Sequence, residues 1–357
     1  VKGIPIGINQ NRYQPFPYIT SKIYTTWRNE YKATASMVKS TIKQIRKEKN
    51  ISLTAAIEIE NNAMYQTLLF ETALDFLNKT KPKTIVCDSD RQPANCALVM
   101  AGNKLDIPTF TFIHGAIDPP DNYIPILARF VFCWGTDHVE ALGKVNTPAN
   151  KMIVTGNTKL TRSLGVNATT VRKKLNLPAT DHLKTIILFT NNIDPALQIQ
   201  LAQSFIHFCK NNANVRGMIK LHPLESPADY SALTFPENIR MFTTTEITLD
   251  EALAVADGVL SHNSLVAVDT LIKHKPLAIL HTINLALGIA ERLHQEAGVP
   301  LISNQEKFDR FIQSLEKNTY SFELKEKFVH HYCAAFGPEA VDNTIHAIHL
   351  KNEKNTL

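Results

Sequence analysis

Apolar and polar positions alternate along this chain with two different periods. Between about residues 21 and 78 good helix formers surround apolar positions such as Ala55, Ile57, Ala63, Leu68 and Leu69, which predicts a helical N-terminal region. Ahead of it, the first twenty residues hold closely spaced Pro, Gly and Asn (GIPIGINQNRYQPFPY), so a loop or arm is expected there rather than a strand or helix. From residue 84 short apolar runs take over. They predict strands at 84–87, 109–113, 129–134 and 151–155, with helices at 93–102 and 136–142. A polar stretch, 159–184, contains a short basic helix and Pro178 and reads as an interdomain linker. After it the alternation restarts. Strands are expected at 186–189, 216–221, 239–242, 258–260 and 276–280, with helices at 195–210 and 265–272. Thr248 and Glu251 have the spacing of a capping box, in which each side chain satisfies a backbone donor of the other, and so mark another helix start.

Short apolar strands alternating with helices predict α/β architecture with parallel, doubly wound sheets. A length of 357 residues suits two such domains. The expected division is an arm and helical region at 1–80, a Rossmann-like domain at 81–160, a linker at 161–184, a second Rossmann-like domain at 185–325, and a C-terminal helix packing back with a tail at 326–357.

Composition narrows the function classes. With 44% hydrophobic and 20% charged residues, and no run near the roughly 18 apolar residues of a membrane span, the chain is expected to be soluble and cytoplasmic. The start at Val1 is read as that of a fragment, without the order of a signal peptide. Cys87, Cys96, Cys133, Cys209 and Cys333 form no C-x-x-C pair and are expected to be reduced thiols. A net charge of +5 favours anionic ligands, while the spread of basic residues points away from nucleic acid. The densest basic stretch, KSTIKQIRKEK at 39–49, reads first as a solvated helix face and secondly as a peripheral membrane contact.

In open α/β sheets ligands sit beyond the carboxyl ends of the strands, so polar residues just after strands carry the chemistry. Lys220, His222 and Pro223 follow one strand; the cation and the imidazole suit a phosphate, and proline stops the strand. Ser261, His262, Asn263 and Ser264 lie between a strand and a helix and offer hydroxyls and backbone N–H groups to an anion, or simple helix capping. In the first domain His114 and Gly115 follow a strand, with His114 a candidate general base and Gly115 permitting close approach. Asp88, Asp90 and Arg91 follow another; the acids are candidates to share the base role or orient an acceptor, and Arg91 to bind an anionic one. Asp88-x-Asp90 has the form of a metal motif, but no metal is expected. Asn191, in the loop after the first strand of the second domain, and Asp269, inside the helix after the serine-containing turn, are lesser donor-side candidates.

The order of His114-Gly115, then Lys220-Leu221-His222-Pro223, then Ser261-His262-Asn263-Ser264 resembles bacterial GT-B enzymes that build surface polysaccharides. The likeness is to CDP-glycerol glycerophosphotransferases and to sialyl- and Kdo-transferases with HP and serine motifs. The run 123–135 (YIPILARFVFCWG) and the turn Thr155-Gly156-Asn157 resemble the N-terminal domain of capsule transferases. The resemblance implies a GT-B fold, two Rossmann-like domains facing a cleft. It implies a base at His114, and donor phosphates on His222, Ser261 and Ser264. It further implies no cofactor beyond a CMP-, CDP- or UDP-linked donor, a glycan or lipid-linked glycan acceptor, and a location at the inner face of the cytoplasmic membrane. Two departures stand out: Ser261-His262 replaces the usual acidic residue ahead of the serine pair, and Asn191-Asn192 stands where a glycine-rich loop is common. The leading expectation is a metal-independent glycosyl or alditol-phosphate transferase; the alternatives are a sugar-nucleotide 2-epimerase and a non-catalytic nucleotide-binding module.

Overall fold

The computed structural model describes residues 5–6, 14–15, 32–49, 51–113, 115, 117, 123–178, 182–191, 194–283 and 288–353. Residues 1–133, 139–155 and 342–357 form one compact unit, and 134–138 with 156–341 form the other.

In the first unit β1 (Pro5–Ile6) pairs antiparallel with β2 (Gln14–Pro15). This corrects the expectation of a strandless arm: proline holds φ in a range that extended backbone shares, so short proline-containing pieces can still form a ladder. Two helices follow, α1 (Lys32–Lys49) and α2 (Leu53–Thr80). On α1 the basic residues Lys39, Lys43, Arg46, Lys47 and Lys49 are exposed while Val38, Ile42 and Ile45 are half-buried, the spacing of one packed helical stripe. Ser52 caps α2 by accepting from the Ala55 N–H at 3.2 Å.

The chain then alternates: β3 (Ile85–Cys87), α3 (Pro93–Lys104), β4 (Thr109–Phe112), β5 (Phe130–Cys133), α4 (Thr136–Lys144) and β6 (Met152–Val154). The four strands β3-β4-β5-β6 lie side by side in chain order, all parallel. Their core has two faces. Leu69, Ala73 and Leu77 of α2 and Ala94, Leu98 and Ala101 of α3 pack with Ile85 and Val131. Phe110 and Phe132 stack at 5.2 Å on the other side, against Ala347 and Ile348.

The second unit begins with α5 (Ala168–Lys174), then β7 (Lys184–Phe189), α6 (Pro195–Lys210), β8 (Val215–Lys220), β9 (Ile239–Phe242), α7 (Leu249–Val255), β10 (Gly258–Ser261), α8 (Val266–Ile272) and β11 (Leu277–Leu280). It ends with α9 (Ile289–Gln295), β12 (Leu301–Ile302), α10 (Gln305–Glu316), α11 (Glu323–Tyr332) and α12 (Gly337–Glu353), whose last residues belong to the first unit. The Thr248 and Glu251 capping box forms as expected. Residues 161–184 are not a free linker: Val171 and Leu175 are buried in this unit's core, because α5 turns its few apolar residues onto α7.

Strand order is β12-β11-β10-β7-β8-β9, all parallel. The central strands β7, β10 and β11 are apolar along their middles because both faces are covered, whereas the edge strand β9 exposes Arg240. Ile187, Met218, Val259 and Ile279 feed one core; Ile186, Ile219, Leu260 and Ala278 feed the other. All five cysteines are free thiols, with only Cys96 less than fully buried. Among the described residues no helix is long and apolar enough to cross a membrane.

Candidate functional site

The strand order of the second unit fixes where a ligand would sit. The chain runs from β7 outward through β8 to β9, then returns to the other side of β7 with β10 and moves outward again through β11 and β12. The direction therefore reverses between β7 and β10, which makes their carboxyl ends a topological switch point, where open α/β sheets bind ligands. Asn191, Lys220, His222, Pro223 and the run Ser261 to Ser264 all follow β7, β8 or β10 at this one edge.

The turn after β8 is tightly held. The His222 N–H donates to Thr190 Oγ1 at 2.8 Å and to Glu225 Oε2 at 2.9 Å, and Thr190 Oγ1 is itself bonded to that carboxylate. The Leu224 N–H donates to His222 Nδ1 at 3.2 Å. An Nδ1 that accepts must carry the lone pair, so in the neutral ring Nε2 carries the proton and His222 presents an N–H donor. Pro223 is exposed and makes the turn that allows this contact. Lys220 is only 5% exposed, and its ammonium donates to the Leu221 carbonyl at 2.9 Å. Burial pushes its pKa down, against the pull of the nearby Glu225 carboxylate.

The turn after β10 has the opposite polarity. His262 is 2% exposed, and its Nδ1 lies 2.9 Å from the Leu280 carbonyl. A carbonyl only accepts, so this Nδ1 carries the proton and Nε2 the lone pair. That buried Nε2 and the fully buried Ser261 hydroxyl find no hydrogen-bond partner among the described residues. Ser264 Oγ accepts from the Val266 N–H at 3.3 Å, just ahead of α8. The Asn191 side-chain amide donates to the Asn263 carbonyl and so ties the two central loops together. Gly288 sits against the Asn263 side chain with φ +49, where a Cβ would stand 2.9 Å from the amide.

Several sequence-derived candidates have other work. Asp269 is buried and pairs with Lys273 at 3.0 Å; Lys273 also donates to the Thr161 carbonyl and pairs with Asp250, so Asp269 anchors α8 rather than offering a carboxylate to a ligand. In the first unit Asp90 is 3% exposed and its Oδ2 accepts from the N–H groups of Leu127 at 2.6 Å and Ala128 at 3.0 Å. It is a clasp for the segment leading into β5, not a free catalytic acid. Asp88 is exposed and accepts from Asn95 Nδ2 at 3.1 Å. The Arg91 guanidinium donates to the Pro125 carbonyl at 2.9 Å. Gly115 is half-buried, with a backbone hydrogen bond to Tyr123. His114 and Asn192 lie outside the described residues.

Sequence reasoning missed Glu225, which holds the His222 turn, and His281 and Thr282, which follow β11 at the same edge. For His281 and Thr282 the signal was available, since both lie just beyond the buried end of β11; Glu225 stands further along the loop after β8, where no strand end marks it.

No protein-family model matches the chain, and no curated protein matches it. Solved structures do. A putative UDP-N-acetylglucosamine 2-epimerase from Listeria monocytogenes is 12% identical with a TM-score of 0.57, covering 90% of this chain and 94% of its own. The chain has the GT-B fold. This GT-B likeness extends to the S. aureus MnaA–UDP structure, at 12% identity, TM-score 0.54 and coverages of 86% and 88%. It also extends to a glycosyltransferase from Rickettsia africae, at 10% identity, TM-score 0.53 and coverages of 78% and 79%.

Proposed function

We propose that this GT-B chain is a transferase that moves a sugar, or an alditol phosphate, from a nucleotide-activated donor to a hydroxyl of a surface glycan or lipid-linked glycan. The observation that carries the reading is the placing of Lys220, the Nε2–H donor of His222 and the Ser261 to Ser264 turn at one switch-point edge. A buried ammonium and a fixed N–H donor suit the oxygens of a phosphate, which only accept. The UDP in the S. aureus neighbour's structure supports a nucleotide ligand.

For glycosyl transfer the acceptor oxygen attacks the anomeric carbon as the bond from that carbon to the phosphate oxygen breaks. The nucleotide leaves with the electron pair, and its growing charge is met by Lys220 and His222 without reorganisation. The acceptor's proton goes to a base, the role assigned to His114 by resemblance.

A 2-epimerase is the second reading, favoured by the fold likeness to such an enzyme. It requires carboxylates that abstract and return a proton. Here Asp90 is bound to two backbone N–H groups and Glu225 to the His222 turn, which leaves Asp88 as the exposed strand-end acid among the candidates. That inventory favours transfer.

Thermal-shift assays with CMP, CDP, UDP, GDP and their sugar conjugates, followed by turnover with and without acceptor, test the proposal. Stabilisation by a nucleotide and turnover that needs an acceptor are expected. Stabilisation by none would refute the site; acceptor-independent change of the sugar would establish the epimerase.

A further inference from the structure

The turn after β11 adds His281 and Thr282, which the phosphate reading does not use, beside Ser261 and His262 of the turn after β10. β10 and β11 are parallel neighbours with Ser261 opposite Ile279. One residue beyond, His262 is bonded to the Leu280 carbonyl, and the His281 ring lies nearly parallel to it, 11° apart in plane and 6.2 Å between centroids. Ser261 Oγ, His262 Nε2, His281 Nδ1 and Thr282 Oγ1 are all buried atoms without a hydrogen-bond partner among the described residues. Folded proteins leave few such groups, and four on two adjacent strand ends call for a polar ligand.

The tautomer of His262 says which kind. With its Nδ1 proton committed to Leu280, a neutral His262 offers only a lone pair at Nε2. Burial, helped by the neighbouring His281 and opposed by the Leu280 carbonyl, pushes its pKa down, which favours the neutral ring. A fully ionised phosphate carries no proton to donate and cannot satisfy that lone pair. A sugar hydroxyl can: it donates to Nε2 and accepts from a serine or threonine hydroxyl in return. We propose that Ser261, His262, His281 and Thr282 form a subsite for a sugar-ring hydroxyl of the ligand, with His262 Nε2 accepting its O–H. This rests on the reading that a nucleotide binds at this edge, and it assigns His262 to a hydroxyl where the motif alone suggested a phosphate.

The hydroxyl belongs either to the ribose or to the transferred sugar. Calorimetric titration of the full chain with UDP, 2′,3′-dideoxy-UDP, UDP-glucose and UDP-2-deoxyglucose separates them, with CDP and dideoxy-CDP run alongside. A ribose hydroxyl predicts that the dideoxy nucleotides bind about tenfold more weakly, the loss of one buried hydrogen bond. A sugar hydroxyl predicts the same loss only between UDP-glucose and its 2-deoxy form. In His262→Phe the preference for the hydroxylated ligand disappears. Equal affinity of every hydroxylated and deoxy pair in the wild type overturns the subsite without any variant, and so does a preference that survives His262→Phe. If pyrophosphate and nucleotides all fail to bind, the phosphate reading itself falls and takes this one with it; pyrophosphate binding without hydroxyl discrimination sinks the subsite alone.

Discussion

The Asn191 side-chain amide donates to the main-chain carbonyl of Asn263, so the loops leaving β7 and β10 are joined at the point where the strand order reverses. The backbone N–H of the same asparagine donates to Gln198 Oε1 at 3.3 Å. Asn191 thereby links the loop after β7 to the turn that carries Ser261 to Ser264.

Asn191→Ala should cost about 1 kcal/mol of stability, the net worth of one hydrogen bond, and leave the Asn263 carbonyl without its partner. Urea unfolding measures the first effect. A nucleotide titration should show weaker binding, since the turn carrying Ser261 to Ser264 loses its tether; unchanged affinity would mean that the tether is purely structural.

Gly288 backs the same turn from the other side. Its φ of +49 suits glycine, and an added methyl would press on the Asn263 amide at 2.9 Å. Gly288→Ala should therefore destabilise by about 1–3 kcal/mol, combining strained backbone with a displaced side chain, and should reduce nucleotide affinity. Thermal unfolding with and without nucleotide reads both.

Asp90 distinguishes a clasp from a catalyst. Asp90→Ala removes the acceptor of the Leu127 and Ala128 N–H groups and should cost about 3 kcal/mol, as for charge-assisted bonds lost from a buried site. Turnover per folded molecule should be retained. A variant that folds with wild-type stability but has lost turnover would restore the catalytic reading.

His138 should make the second unit acid-sensitive. Burial, outweighing the nearby Asp137 carboxylate, lowers its pKa from 6.5 to about 4, and its Nδ1 accepts from the Trp134 N–H at 3.3 Å. Between those two values the unfolded chain binds a proton that the folded chain refuses. Stability therefore falls as pH drops from 6.5 towards about 4, by about 3 kcal/mol in all, and levels off below. Urea titrations across that range should show the slope, and His138→Phe should flatten it.

Much of the second sheet was legible because its strands are buried on both faces and read as bare apolar runs such as Ile186 to Phe189 and Gly258 to Leu260. The helix Pro195–Lys210 was bounded by a proline at its start and by the loss of apolar period at its end. The role of Asp90 was hidden because its partners lie 37 and 38 residues away, a distance no local pattern encodes. Asp269 looked like a ligand because helix position alone does not reveal Lys273 one turn on as its counter-ion in a buried setting. The opposite tautomers of His222 and His262 depend on which backbone group each ring meets, and that is decided by the fold. The segment 161–184 looked like a linker because one buried helix face with a single valine and leucine gives too weak a period.

The central claim is one phosphate site at the carboxyl edge of the second sheet, and calorimetric titration of UDP and CDP into wild type and His222→Ala tests it most directly. Binding to the wild type should be micromolar to millimolar, and at least about tenfold weaker once the Nε2–H donor is gone. Binding of equal strength to both proteins would contradict it.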